Sequence, residues 1–171
     1  MIDAWSKSNK PNAPMEAESL LLEMIDLFSK GELEVGPDTI TYSAVINCWS
    51  KSKRPEGPSR ALDILETMIA NYKEFGSKDV RPNTVTYSAV MDAYARQGDA
   101  VSARAVFEMM KEDCYADNNN NAQPNLVTYN IILDAWANSV DEDAPVEVEN
   151  ILQEIKDLHE TGKLEKGPDK I

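Results

Sequence analysis

Apolar residues recur along the chain at the spacing of an amphipathic helix. Between Thr84 and about Gln97, one helical face carries Val85, Ala89, Val90, Ala93 and Tyr94. After Gly98, a second face carries Ala103, Val106, Phe107 and Met110. Both stripes predict helices, and Asp99 is the expected N-cap of the second. Because neither helix can bury its apolar stripe alone, the two are expected to pack as a hairpin and to stack on further hairpins.

This helical pattern occurs three times. The segments that begin at Thr39, Thr84 and Leu126 open alike, with Thr-Tyr-Ser or Thr-Tyr-Asn in third to fifth place, and each follows Pro-Asp or Pro-Asn. A fourth such pair, Pro168-Asp169, ends the last segment. The predicted repeats are therefore 39–83, 84–125 and 126–169, with 45, 42 and 44 residues.

The rest of the chain fits the same repeat. A shift of 131 residues, the combined length of the three repeats, places residues 14–38 on residues 145–169 with 13 of 25 positions identical and no gap. Residues 1–38 are therefore predicted to be a repeat that lacks its first positions, and residues 170–171 the start of another. We expect a window of a longer array. The predicted fold is all-α, an α-solenoid of stacked antiparallel helix hairpins.

Proline marks the predicted start of the second helices. Pro14, Pro58 and Pro145 are expected in the first turn of such a helix, where a missing N–H costs little. Asp143 is expected to cap the last of them.

The repeated residues resemble those of the pentatricopeptide repeat family. That motif begins with two hydrophobic or small residues followed by Thr-Tyr-Asn, and it ends in Pro-Asp or Pro-Asn. The resemblance covers essentially the whole chain. The repeats here are longer than the family's, and the extra residues lie in predicted loops, such as residues 117–123.

The resemblance implies that single-stranded RNA lies along the first helices, with about one base read per repeat. In the family, the second residue of each motif packs against a base. These residues are Ile40, Val85 and Val127. The fifth residue and the last residue of the repeat contact the base edge. They are Ser43 with Asn83, Ser88 with Asn125, and Asn130 with Asp169, while the partial first repeat keeps only Asp38.

The chemistry of these pairs fits base recognition. An Asn amide can donate to the ring-nitrogen acceptor of adenine and a hydroxyl can accept from its amino group, whereas a carboxylate only accepts and suits the ring N–H of uracil or guanine. By the family's code the predicted target is 5′-(U/G)AAU-3′. Helix chemistry alone also explains part of the pattern, because Asn and Asp are common N-caps and Ser is common at helix starts.

The net negative charge of the chain opposes RNA binding unless the acidic residues lie away from the RNA-binding face. Thirty acidic against 17 basic residues give a net charge of −13, whereas phosphate binding depends on Lys and Arg. The predicted first helices, at 1–8, 39–52, 84–97 and 126–138, balance three acids against three bases. Those bases, Lys7, Lys51 and Arg96, share one motif position at which the family's RNA backbone would pass. The excess acid therefore falls on second helices and loops, where protein partners could bind.

Composition excludes several other chemistries. The single histidine, His159, and two cysteines, Cys48 and Cys114, exclude a multi-His or Cys-rich zinc site, and no cofactor or catalytic residue is expected. No run of apolar residues is long enough for a transmembrane helix. The repeated aromatic residues are expected in the core rather than against bases. They are Tyr42, Tyr87, Tyr129, Trp5, Trp49 and Trp136.

Three functional hypotheses remain open from the sequence. The first is sequence-specific RNA binding in organellar RNA processing, stability or translation, with residence in a mitochondrion or plastid implied by the resemblance. The second is an acidic protein-interaction scaffold that has kept the fold without binding RNA. The third is the targeting part of a larger enzyme such as protein-only ribonuclease P, although no nuclease-like cluster of aspartates occurs here.

Overall fold

Helices make up all the regular secondary structure in the part of the chain that the structure, a computed structural model, describes: residues 12–116, 118–162 and 164. The helix predicted at 1–8, with Trp5 and Lys7, and the predicted base-reading residue Asp169 lie outside these residues. The α-helices are α1 (Ala13–Ser29), α2 (Thr39–Lys51), α3 (Gly57–Phe75), α4 (Thr84–Arg96), α5 (Ala100–Tyr115), α6 (Leu126–Ala137) and α7 (Ala144–Glu160). Short 3-10 turns occur at Lys78–Val80 and Asn120–Ala122. The predicted all-α, helical-hairpin fold class is confirmed.

The chain divides into two compact units, and the boundary falls within α4, after Val90. In the first unit, α2 packs against both α1 and α3. Its core contains fully buried large side chains from each of these helices, including Leu21, Tyr42, Ile46, Leu65 and Met68. Phe28 and Phe75 add an edge-to-face contact with ring centroids 5.4 Å apart. Hairpins thus bury the stripes that single helices could not.

The segment after α3 is tied back to the start of α2. The Thr39 hydroxyl lies 2.8 Å from the carbonyl oxygen of Asp79 and 2.9 Å from that of Arg81. Gly76 ends α3 in the left-handed conformation, with φ of 66°, which a residue with a Cβ adopts only at a cost. These contacts fix the path of the segment that connects α3 to α4.

In the second unit, α6 packs against α5 and α7. Its fully buried side chains include Phe107 and Met110 from α5, Tyr129 and Ile132 from α6, and Ile151 from α7. The rings of Phe107 and Tyr129 meet edge to face with centroids 5.0 Å apart. The Tyr129 hydroxyl donates to Glu154 Oε1 at 2.8 Å, which links α6 to α7.

The predicted helix starts differ in how they are capped. Asp99 is the N-cap of α5 and accepts from the backbone N–H of Ser102 at 2.9 Å, as expected. Pro14, Pro58 and Pro145 stand in the first turns of α1, α3 and α7, also as expected. The predicted cap at Asp143 is wrong in its chemistry. Asp143 holds the N-cap position, but its backbone is helical and its side chain accepts no capping hydrogen bond.

These two aspartates give a matched pair of stability predictions. Asp99→Ala is expected to lower the free energy of unfolding by about 1 kcal/mol, because it removes a capping acceptor from the start of α5. Asp143→Ala is expected to change it by only a few tenths of a kcal/mol, since the exposed side chain caps nothing. Urea unfolding followed by circular dichroism measures both. Equal losses would contradict the assigned difference between the caps.

Candidate nucleic-acid interface

Each of the first helices α2, α4 and α6 presents an apolar side chain to solvent at its second residue. Ile40, Val85 and Val127, the wall residues, are 75%, 62% and 57% exposed. Two residues later, Tyr42, Tyr87 and Tyr129 are fully buried, because a step of two residues turns the side chain to the opposite side of a helix. The core does not need the wall residues. An exposed aliphatic side chain therefore recurs at the second residue of each of these three helices.

The predicted fifth residues lie on the same helical face as the wall residues. A spacing of three residues places Ser43 beside Ile40, Ser88 beside Val85, and Asn130 beside Val127. Ser43 and Ser88 are half-buried and Asn130 is exposed, so none of the three is enclosed in the core. Each first helix therefore carries an apolar group and a short polar group within one turn.

The predicted last residues of the repeats act as helix N-caps. Asp38 accepts from the Thr41 N–H at 2.8 Å, Asn83 from the Thr86 N–H at 3.0 Å, and Asn125 from the Val127 N–H at 3.0 Å. The capping explanation is thus correct for these three residues. It does not exclude a second role, because each cap uses the side-chain Oδ1 atom. The Nδ2 groups of Asn83 and Asn125 and the Oδ2 atom of Asp38 are not part of the caps.

One repeat brings its two predicted base-reading residues together. The Ser43 Oγ lies 3.1 Å from the Thr86 Oγ1, and that hydroxyl lies 2.9 Å from the Asn83 Oδ1. Thr86 belongs to the next first helix and is 1% exposed. Sequence reasoning missed Thr86, although a polar residue three positions after an N-cap can bond back to the cap, as Glu or Gln does in a capping box.

The other fifth residues have different surroundings. The Ser88 hydroxyl donates to the backbone carbonyl of Thr84, one turn earlier in the same helix, at 2.6 Å. The Asn130 side chain is exposed on α6. Since Asp169 lies outside the described residues, the geometry of the last pair is left as predicted from the sequence.

The predicted phosphate-binding residues are unequal. Lys51 is exposed in the last turn of α2. Arg96 is also exposed, but it forms an ion pair with Asp92 one turn earlier in α4. A phosphate at Arg96 would therefore compete with a carboxylate, a point that the spacing of four residues could have revealed.

The repeated aromatic residues that the structure describes are buried in the core, as predicted, and both thiols are buried as well. Trp49 and Trp136 are buried. Burial raises the pKa of Tyr129, and the neighbouring Glu154 raises it further, so this hydroxyl stays protonated as a donor. Cys48 and Cys114 are buried free thiols, and desolvation raises the pKa of each, which opposes a reactive thiolate. Within the described ranges, no group of three metal-binding side chains was found.

Charge is distributed as the sequence predicts. The first helices α2, α4 and α6 carry two acidic and two basic residues, whereas α1, α3, α5 and α7 carry fifteen acidic and five basic ones. The helices that bear the wall residues are therefore neutral. The acidity that opposes phosphate binding is concentrated on the other helix of each hairpin.

Paired helices that repeat in sequence, with one exposed apolar and one short polar side chain on each of α2, α4 and α6, define a helical-repeat protein. Residues 72–139 match the family model for the pentatricopeptide repeat domain, and this match confirms the resemblance predicted from the sequence. No curated protein matches the chain significantly. Members of the family are generally non-catalytic and bind RNA, which suggests RNA binding here. Among the described helices, none has both the length and the apolar character needed to cross a bilayer.

Proposed function

We propose that this chain binds single-stranded RNA in a sequence-dependent manner, reading about one base per repeat, with 5′-(U/G)AAU-3′ as its preferred sequence. The observation that carries the proposal is the exposure of Ile40, Val85 and Val127 at the second place of successive first helices. A base lies flat against an aliphatic side chain with little dependence on its identity, so such residues supply affinity. The polar residues one turn away supply selectivity.

The proposal assigns one pair of side chains to each base. Ser43 with Asn83 and Ser88 with Asn125 would read adenine, Asn130 with Asp169 would read uracil, and Asp38 would accept from uracil or guanine. Lys51, Arg96 and Lys7 would approach the backbone phosphates, with Arg96 weakened by its ion pair to Asp92. An organellar role in RNA processing, stability or translation belongs to the same proposal, and it rests on the family alone.

The base preference can be tested with short RNAs. The chain is expected to prefer an RNA that contains UAAU over a permuted RNA of equal composition, and fluorescence anisotropy at low ionic strength measures the difference. Asn130→Thr is expected to move the preference at the fourth nucleotide from uracil toward guanine. The shorter side chain leaves room for a purine, and guanine keeps the ring N–H that the carboxylate of Asp169 would accept from.

The matched control is Asn150→Thr, which makes the same exchange at an exposed position of the second helix α7. It is expected to leave the preference at the fourth nucleotide unchanged. Equal binding to the UAAU RNA and its permutation would contradict the proposal. The same holds if both Asn→Thr variants behave alike.

The acidity of the second helices favours a second candidate, a scaffold for basic protein partners. In α7, five acidic residues accompany one Lys, and the exposed apolar residues Val146 and Leu152 lie on the same helix. This role would use the helices that the RNA does not touch. Absence of binding to any RNA at low salt would favour the scaffold over the RNA reader.

A further inference from the structure

The hydroxyl of Thr86 connects two side chains that the proposed function assigns to one base. Ser43 comes from α2 and Asn83 from the residue before α4, while Thr86 is the third residue of α4. Three hydrogen-bond contacts meet at the Thr86 Oγ1: Ser43 Oγ at 3.1 Å, Asn83 Oδ1 at 2.9 Å and the Asn83 backbone nitrogen at 3.4 Å. Thr86 is almost completely buried, so protein partners alone decide the direction in which its hydroxyl hydrogen points.

A hydroxyl has one hydrogen to donate and two lone pairs that accept. The Asn83 Oδ1 is a carbonyl oxygen and only accepts, so Thr86 must give its single hydrogen to Asn83. The lone pairs of Thr86 then accept from the Asn83 backbone N–H and from the Ser43 hydroxyl. All three bonding capacities of the Thr86 hydroxyl are used, and Ser43 is therefore the donor of the contact that joins them.

This arrangement gives the two base-reading residues opposite and fixed polarities. The Ser43 hydrogen is committed to Thr86, so Ser43 can only accept from a base. The Asn83 Oδ1 accepts from both the N–H and the hydroxyl of Thr86, so Asn83 meets a base only through the donor Nδ2. One acceptor beside one donor matches the amino group and ring nitrogen N1 of adenine. Guanine presents an N–H and a carbonyl at those places and would meet both groups with the wrong polarity.

The neighbouring repeat lacks this use of the Thr hydroxyl. Thr128 Oγ1 donates to the backbone carbonyl of Asn125, at 2.7 Å, rather than to the side chain. Ser88 gives its hydrogen to Thr84 within its own helix. The polarity of Ser88 therefore does not depend on a residue of the following repeat, and the nucleotide it would read serves as an internal control.

We propose that Thr86 is a positioning residue for base selection: its hydroxyl, supplied by the following repeat, holds Ser43 as an acceptor and Asn83 as a donor and so selects adenine over guanine at this repeat. The inference rests on the proposed function, since it concerns the same base-reading pair. It extends that function, because the selectivity of a repeat then depends on a buried residue that touches no base.

The test compares adenine with guanine at two nucleotides of the same RNA. In 5′-UAAU-3′ the second nucleotide faces Ser43 and Asn83, and the third faces Ser88 and Asn125. Thr86→Val keeps the shape of the side chain and removes the hydroxyl, which frees the Ser43 hydrogen. The adenine-to-guanine affinity ratio is expected to fall about five- to tenfold at the second nucleotide, the scale of one or two hydrogen bonds, and to stay unchanged at the third.

Two variants and one modified RNA make the result specific. Thr86→Ser restores the hydroxyl and is expected to restore the ratio. Thr67→Val removes a hydroxyl that bonds only to the carbonyl of Asp63 within α3, and it is expected to change neither ratio. Purine riboside in place of the second adenosine lacks the amino group that Ser43 would accept from. Its binding to the wild-type chain is expected to be weaker by a similar factor, and this measurement does not depend on whether Thr86→Val folds.

The possible outcomes distinguish a failure of the Thr86 inference from a failure of the proposed RNA-binding function. The inference alone would be overturned by the following pair of results. The wild-type chain prefers adenine at both nucleotides, and Thr86→Val keeps that preference at the second. Unchanged binding of the purine riboside RNA would overturn the inference and also the adenine contact that the proposed function assigns to Ser43. An equal loss of affinity for all RNAs in Thr86→Val would show a purely structural role and also overturn the inference. A wild-type chain indifferent to adenine and guanine at both nucleotides would overturn the proposed function as well.

Discussion

Phe107→Ala is expected to lower the free energy of unfolding by about 4 kcal/mol, the typical loss for truncating a fully buried aromatic ring. Phe107 has no solvent exposure and belongs to the core of the second unit. Its ring meets Tyr129 edge to face, and the Arg104 guanidinium and the Lys111 ammonium lie 5.7 and 5.1 Å from its centroid. Alanine would leave a cavity that neighbours from α5 and α6 cannot fill without moving. Urea unfolding followed by circular dichroism measures the loss.

The control for this substitution is Tyr115→Ala on the same helix. Tyr115 is an aromatic residue of similar size but is 60% exposed, so its removal is expected to cost less than about 1 kcal/mol. Because helical-repeat chains can unfold in parts, hydrogen exchange of the amides in α5, α6 and α7 identifies where Phe107→Ala acts. A loss no larger than that of Tyr115→Ala would contradict the assignment of Phe107 to the core.

The helices could be predicted from the sequence because their signals are local. An Asn or Asp marks the start of each first helix, directly before Thr39, Thr84 and Leu126. A proline in the first turn marks the start of α1, α3 and α7. The structure begins the helices at these places. The buried stripes follow from helical periodicity, as the fully buried Phe107 and Met110 illustrate. Each of these features depends on residues within one or two turns, so pattern alone predicts it.

Other features depend on backbone conformation that composition does not determine. Asp99 and Asp143 both precede a second helix, yet only Asp99 caps it. The backbone of Asp143 is already helical, with φ of −82° and ψ of −7°, so its carboxylate makes no bond to the first turn. Its own N–H instead donates to Asp141 Oδ1 at 3.0 Å. The same residue type at the same position therefore caps one helix and not the other.

Specific contacts of single polar residues explain what sequence reasoning missed. Ser43 and Thr86 lie 43 residues apart, and only the packing of successive first helices brings their hydroxyls within 3.1 Å. Asn119 belongs to a run of four asparagines that composition describes only as a loop, but it is buried and donates to Asp113 Oδ2 at 2.6 Å. Single polar residues of this kind gain their role from a partner distant in sequence or from a turn, which periodicity does not encode.

The wall residues connect the fold to the proposed function. Their exposure is unfavourable for a surface that has no ligand, because each leaves an aliphatic side chain in water. The buried tyrosines two residues later fix the orientation of each first helix. That orientation turns the wall residue and the fifth residue outward together. In the proposed function, hairpin packing would thus decide which side chains can reach a base, while the identity of the fifth residue would be free to vary.

Replacing all three wall residues with alanine is therefore expected to weaken RNA binding about a hundredfold, since each loses roughly 1 kcal/mol of apolar contact with a base. Folding is expected to be unaffected or slightly strengthened, because the side chains are exposed and alanine favours helix. The matched control is a triple alanine variant at Leu22, Val101 and Val146, aliphatic residues of second helices that are 50%, 59% and 58% exposed. Fluorescence anisotropy with the UAAU RNA and thermal unfolding compare the two. If both triple variants bind RNA equally, apolar exposure on the first helices has no special part in binding, and the RNA-reading surface proposed for this chain is wrong.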